Sequence, residues 1–182
     1  MTKLVVFAGS PRRKGVGATL MEQVIAGAES VGAEVKVYHL NNTNIRGCQA
    51  CYYCRSHEGC SVNDELQPMY EDIISATGIL ATFPIYFHGI SGQSKFWLDR
   101  LFPMINSDFS PRHPGKNFLP IYTQGNPDKE KFLDTIELTN QAFTSFGWNL
   151  IDHLVITGTS LPNFELPKET LEHAFELGKQ LV

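Results

Sequence analysis

Several features are missing from this chain, and each absence removes a class of protein. No uninterrupted apolar run approaches the length of a bilayer span, so no membrane partner is expected. The chain enters an apolar stretch at Leu4 with no signal-peptide pattern ahead of it, so the expected location is cytoplasmic. The basic residues form no broad stripe, and a formal net charge of −4 argues against a nucleic-acid partner. No cysteine lies outside positions 48–60, where all four are found. Without a secretory signal, that clustering points to metal, an inorganic cluster or redox thiols before structural disulfides. There is no internal repeat, low-complexity tract or domain linker. With 182 residues and an ordinary apolar fraction, the chain reads as one domain over 1–182, with 48–60 as a cysteine-rich insertion.

Leu4–Ala8 is a short, β-branched apolar run, long enough for a buried strand and too short for a helix. It empties into a loop with three glycines, a proline and three cations (Gly9 to Ala18), and Thr19 then opens an amphipathic helix. A strand that runs through such a loop into a helix N-terminus suits an anion, because the first amides of a helix lack partners and the dipole adds positive potential. Ser10 and Thr19 offer hydroxyls and Arg12 a guanidinium fork. Gly15 is followed by Val16, which rules out a P-loop, and Leu20 stands where the dinucleotide fingerprint needs its third glycine. What remains is a loop for one terminal phosphate monoester, or an ordinary basic βα turn.

The remaining periodicity gives a helix over 19–31, a strand over 34–40, a helix over 65–76 capped by Asp64, and a strand over 78–83. Further helices fall at 93–101, 128–146 and 168–181, and strands at 118–123 and 148–156. Alternating strands and helices imply a three-layer α/β fold: a five-stranded parallel sheet, order 2-1-3-4-5, with helices on both faces. Ligands in such sheets sit beyond the carboxyl ends of the strands. Three loops leave those ends: Gly9–Ala18, Pro84–Gly92 and Thr123–Pro127. The first suits phosphate, the second offers Tyr86 and Phe87 as flat surfaces with amides beside Gly89, and the third offers Thr123, Gln124 and backbone groups. A phosphate at one end and a flat heteroaromatic ring at the other describes flavin mononucleotide (FMN).

Gly9-Ser10-Pro11-Arg12, Cys48-x2-Cys51-x2-Cys54-x5-Cys60 and Pro84-Ile85-Tyr86-Phe87-His88-Gly89-Ile90-Ser91-Gly92-Gln93-x-Lys95 closely resemble the flavodoxin-like NAD(P)H-dependent FMN reductases. Within that group the chain is most similar to the iron–sulfur flavoproteins and their relatives. The resemblance runs as ordered motifs over roughly residues 1 to 127 and as fold beyond them. It implies a flavodoxin-like fold, bound FMN and a homodimer or homotetramer. By position it assigns Ser10, Arg12 and Thr19 to the phosphate and Pro84, Ile85, Tyr86 and Phe87 to the ring. Relatives often read Gly-Gly-Asn-Thr after the arginine; here Val16, Gly17 and Ala18 precede Thr19, and the asparagine contact is missing. Thr123, Gln124 and Gly125 complete the expected FMN set.

The implied chemistry is the flavin's: hydride arrives from NAD(P)H as co-substrate and electrons leave to a small-molecule acceptor such as a quinone, a nitro or azo compound or free flavin. No acid–base dyad is required, and His88 is the one candidate proton donor. Cys48, Cys51, Cys54 and Cys60 have the spacing to hold a [4Fe–4S] cluster on one compact segment. Zinc is a weaker reading, since its sites usually draw on two separated Cys-x2-Cys pairs, and thiols packed as small hydrophobes are the third. Three functions therefore compete: an FMN-dependent oxidoreductase, an iron–sulfur flavoprotein electron carrier, and a flavodoxin-like binding protein without catalysis.

Overall fold

The first strand, β1 (Lys3–Ala8), explains why an apolar run with no alternation lies in the middle of the molecule. Its side chains alternate between two faces, and both faces are covered. Val5 and Phe7 enter one core, Leu4 and Val6 the other, and all four are inaccessible to solvent. These positions come from a computed structural model that describes residues 2–182; Met1, included in the expected domain, lies outside them.

The sheet runs β2 (Glu34–His39), β1, β3 (Gly78–Tyr86), β5 (Asn117–Thr123) and then β6 (Asn149–Leu150), all parallel. This is the expected three-layer α/β class and lane order. The strand count differs, at seven among the described residues rather than five. The chain folds back after β3 into β4 (Gly89–Ile90), which pairs with it antiparallel. The fifth lane is also split, because β7 (Leu154–Ile156) rejoins β5 only after a break at 151–153. There the Asp152 carboxylate accepts the amide of His153 and faces the His173 ring, so these polar groups turn outward where an apolar edge strand would have continued.

Helices α2 (Gln67–Ser75), α3 (Gly92–Asp99) and α4 (Leu133–Thr144) cover one face over an aromatic core. Trp97 stacks on Phe7 at 4.2 Å between ring centroids, and Phe143 lies against Phe118 at 4.4 Å. Helices α1 (Val16–Ser30) and α5 (Lys168–Gln180) cover the other face with aliphatic side chains. Three boundaries shift by three residues or more from the sequence reading. α1 starts at Val16 rather than Thr19, β3 continues through Pro84 to Tyr86, and α4 starts at Leu133 because the Asp128 carboxylate takes the Glu130 amide in a preceding turn. No helix among the described residues is long and apolar enough to cross a membrane.

α1 and α5 cross at two glycines. A Cβ on Gly178 would stand 2.1 Å from the Val24 carbonyl oxygen, and one on Gly27 2.0 Å from that of Phe175. In an open helix Gly→Ala stabilises by about 1 kcal/mol. Here Gly178→Ala is expected to destabilise by about 1–3 kcal/mol, seen as a lower urea midpoint at unchanged slope. A higher midpoint would show that the helices do not approach closely at this point.

Candidate functional site

Beyond the carboxyl ends of β1, β3 and β5 the surface opens into a crevice of about 570 Å³, within the usual range of small-molecule sites. One end is the start of α1. The first backbone bond inside the helix runs from the Thr19 amide to the Gly15 carbonyl, so the amides of Val16, Gly17 and Ala18 have no partner within it. Arg12 and Lys14 line the same end, and neither of their side chains makes a hydrogen bond among the described residues. Ser10 Oγ accepts the Arg12 amide at 3.1 Å, which curls the loop over its own hydroxyl. The other end is Tyr86 and Phe87, both exposed. Phe87 and His88 form the two-residue turn between β3 and β4, with φ of +49° and +67°. Glycine or asparagine is usual in such a turn, and bulky residues held there carry strain. Thr123, Gly125, Thr159 and Ser160 close the third side.

Buried and half-buried hydrogen bonds fix these turns to one another. The Gly9 amide bonds to both the carbonyl and the hydroxyl of Thr82, and the Gly9 carbonyl accepts Ser91 Oγ and Gln93 Nε2, each at 2.8 Å. The Ser91-Gly92-Gln93 motif thus acts on the neck of the first loop. Gln124 is buried; its carbonyl accepts the amide and hydroxyl of Thr159, and its Nε2 spans to the Asn126 and Asp128 carbonyls. A Cβ on Gly125 would lie 2.4 Å from Ser160 Oγ, so the turns after β5 and β7 touch.

The four cysteines border a separate cavity of about 190 Å³ together with Arg100 and Pro103. Three arginines hold their segment. Arg100 donates to the Arg46 and Val62 carbonyls, Arg112 to the Cys54 and His57 carbonyls, and Arg55 lies over the rings of Phe102 and Phe109 at 4.8 and 4.6 Å. The proline-containing excursion after α3 is therefore the wall against which the cysteine segment packs. Ala50 and Tyr52 both have positive φ, at +50° and +58°. All four thiols are free. Hydrogen bonding from Ser61 and the Tyr53 amide holds the exposed Cys51 thiol below its usual pKa, whereas burial and the neighbouring Cys60 push Cys54 up. Among the described residues no group of three His, Cys, Asp or Glu side chains is placed to hold a metal ion. A [4Fe–4S] core takes one cysteine per iron, so its four sulfurs border a volume and do not meet at a point. Four thiols around a cavity floored by a buried guanidinium are compatible with that demand.

The model of the NADPH-dependent FMN reductases matches residues 2–154. The chain belongs to that family. It is similar to an iron–sulfur flavoprotein of Archaeoglobus fulgidus, at 34% identity over 106 residues, which cover 58% of this chain and 54% of that one. A second iron–sulfur flavoprotein, from Methanosarcina thermophila, is 25% identical over 134 residues, covering 74% and 70%. The match to the first thus spans about half its length. Among solved structures, an NAD(P)H:quinone oxidoreductase from Methanothermobacter marburgensis superposes with a TM-score of 0.78 at 16% identity, covering 100% of this chain and 99% of that one. An azoreductase from Bacillus anthracis superposes at 0.74 and 13%, covering 99% and 100%. At such identities these two show the shared fold.

Within this FMN reductase fold, the crevice brings together Ser10, Arg12, Val16, Gly17, Pro84, Ile85, Tyr86, Phe87, Thr123 and Gly125 from the expected set. Ala18 borders a small adjoining depression, and the Thr19 hydroxyl donates back to the Gly15 carbonyl at 3.3 Å, off the crevice lining. The Gln124 side chain is engaged in bracing its own turn. Gly89 and His88 line a different depression, between α3 and α4, where the His88 ring meets Phe132 edge-on. His88, the candidate proton donor, is thus not among the residues that line the crevice. The sequence reading missed Lys14, Thr159 and Ser160. The last two follow the fifth lane of the sheet, whose carboxyl end opens on the same rim, so strand order alone contained that signal.

Proposed function

We propose that this FMN reductase family member binds FMN in the crevice and moves hydride and electrons from NAD(P)H to a small-molecule acceptor: a quinone, a nitro or azo compound, or free flavin. The observation that supports the reading is the meeting of unpartnered helix amides and two free cations with two exposed aromatic rings across one crevice. The bound flavin supplies the redox chemistry. The protein's part is to hold and orient. The amides of Val16 to Ala18 with Arg12 and Lys14 receive the phosphate, Tyr86 and Phe87 flank the ring, and Thr123 to Gly125 with Thr159 and Ser160 bound its edge. NAD(P)H binding, the acceptor and a homodimeric or homotetrameric state belong to the same proposal. The visible spectrum of purified protein, followed by stopped-flow mixing with NADPH and NADH, tests it. A flavin band that neither nucleotide bleaches removes hydride transfer, and no band at all leaves a flavodoxin-like binding protein.

Arg12→Ala is expected to weaken FMN binding by roughly 10- to 150-fold, the worth of a charged hydrogen bond of about 1.5–3 kcal/mol. Quenching of flavin fluorescence on titration measures it, and an unchanged dissociation constant would take Arg12 out of the phosphate site.

A second reading, an iron–sulfur flavoprotein electron carrier, is favoured by the cysteine cavity and by the names of the relatives. Cys48, Cys51, Cys54 and Cys60 would hold the [4Fe–4S] core, which supplies one-electron transfer. Iron and acid-labile sulfide counts on protein purified without oxygen decide it.

A further inference from the structure

Arg100 follows the last residue of α3 and is 1% exposed. One guanidinium nitrogen donates to the Arg46 carbonyl and to Asp64, both at 2.7 Å; the other donates to Asp64 at 3.2 Å and to the Val62 carbonyl at 3.3 Å. Arg46 precedes Cys48 and Val62 follows Cys60, so a single side chain ties both ends of the cysteine segment. The third nitrogen, Nε, is buried and lacks an acceptor among the described residues. Native proteins rarely leave a buried donor unpaired, and such a group asks for a partner.

The pair with Asp64 leaves a dipole at the cavity, with the guanidinium as its nearer pole, because Arg100 lines the cavity and Asp64 does not. The sulfurs therefore meet the positive end. Asp99 and Tyr52 also line the cavity, and the Asp99 carboxylate is exposed to water and paired to Lys95; the Tyr70 hydroxyl donates to the Arg100 carbonyl at 2.6 Å, and Arg55 and Arg112 brace the segment through ring faces and backbone carbonyls. An uncharged small-residue floor would have been the simpler way to pack four thiols. A buried cation beneath them suits a cavity whose content is negative.

We propose that Arg100 is a positioning and charge-compensating residue for the cysteine cavity. It pins the two ends of the Cys48–Cys60 segment and lays a fixed positive charge against an anionic metal–sulfide core held by the four thiolates. This rests on the iron–sulfur reading above. Reduction of such a core deepens its negative charge, so a fixed cation beside it favours the reduced form and raises the potential. Net charge and hydrogen bonding to the sulfurs are the usual levers on that potential.

The test is anaerobic reconstitution of the full chain with ferrous iron and sulfide, reading bound iron and sulfide, rate of loss in air and reduction potential by electron paramagnetic resonance. In Arg100→Gln the potential is expected to move to a more negative value. In Arg100→Lys the charge remains and the fork is lost, so the potential stays near that of the unaltered chain while the core is lost severalfold faster. An unaltered chain that loads iron and sulfide, with an Arg100→Gln potential equal to its own, overturns the proposal and leaves the iron–sulfur reading standing. Equal shifts in both variants also overturn it, because they mark a merely structural residue. An unaltered chain that takes up neither element sinks the iron–sulfur reading and the proposal with it. Circular dichroism reports whether Arg100→Gln folds; if it does not, the loss rate of Arg100→Lys decides, and a rate equal to that of the unaltered chain overturns the proposal.

Discussion

Gly9→Ala is expected to abolish retention of FMN and to destabilise the fold by roughly 3 kcal/mol or more, at or above the top of the usual overpacking range. Gly9 is the residue on which the phosphate loop hangs. A Cβ there would lie 2.1 Å from Ser94 Oγ and 2.3 Å from the Thr82 carbonyl oxygen. The serine can rotate; the carbonyl belongs to the central strand and cannot move without breaking the pairing of β3 with β1. The displaced residue would also strain its two amide bonds to Thr82 and the two bonds its carbonyl accepts from Ser91 and Gln93. Urea unfolding and flavin content after gel filtration read the two effects. Gly15→Ala serves as the packing control, since its Cβ would meet only Arg12 Cβ, at an ordinary 3.7 Å. Wild-type stability in Gly9→Ala would mean that the loop neck is not clamped as described.

The same clamp shows what a sequence can reveal of such a site. Leu4 to Ala8 and Gly78 to Phe83 are readable as central parallel strands because so short a run, apolar on both faces, suits a strand covered by helices on both sides. Lane order then places three loops at one rim before any side chain is positioned. The role of Ser91 and Gln93 is not readable in this way. Their partner, the Gly9 carbonyl, is 82 and 84 positions away, and a hydroxyl or amide that holds a distant backbone group looks like any polar residue at a helix start. Thr19 misled for a related reason. Threonine at an apparent helix start suggests a hydroxyl pointing outward, but the helix begins three residues earlier, where Gly15 supplies no capping side chain. That leaves Thr19 inside the first turn, bonded back to the helix.

Asp64 illustrates the limit more sharply, and the second large effect follows from it. Asp64 with Gln67 reads as a capping box. In the fold Gln67 instead donates to the Cys60 and Val62 carbonyls, and the Asp64 carboxylate accepts the Arg46 and Leu66 amides and both arms of Arg100. Its side chain is 6% exposed and that of Arg100 is inaccessible. Asp64→Ala leaves a buried guanidinium without its counter-charge, and is expected to destabilise by about 3–5 kcal/mol. The double variant Asp64→Leu with Arg100→Met removes both charges and is expected to be more stable than Asp64→Ala alone, although the two amides still lose their acceptor. Additive losses would show that the pair is not coupled. Burial alone would raise the Asp64 pKa, but the hydrogen bonds from Arg100 and the Arg46 and Leu66 amides outweigh it and hold the carboxyl below its usual value. A carboxyl depressed in the folded state stabilises above its unfolded pKa, about 3.9, and that contribution fades as pH falls through the folded value. The difference in unfolding free energy between the unaltered chain and Asp64→Asn should therefore be constant near neutrality and shrink below about pH 4. A difference that holds its size into strong acid would assign the carboxylate no part in closing the cysteine segment.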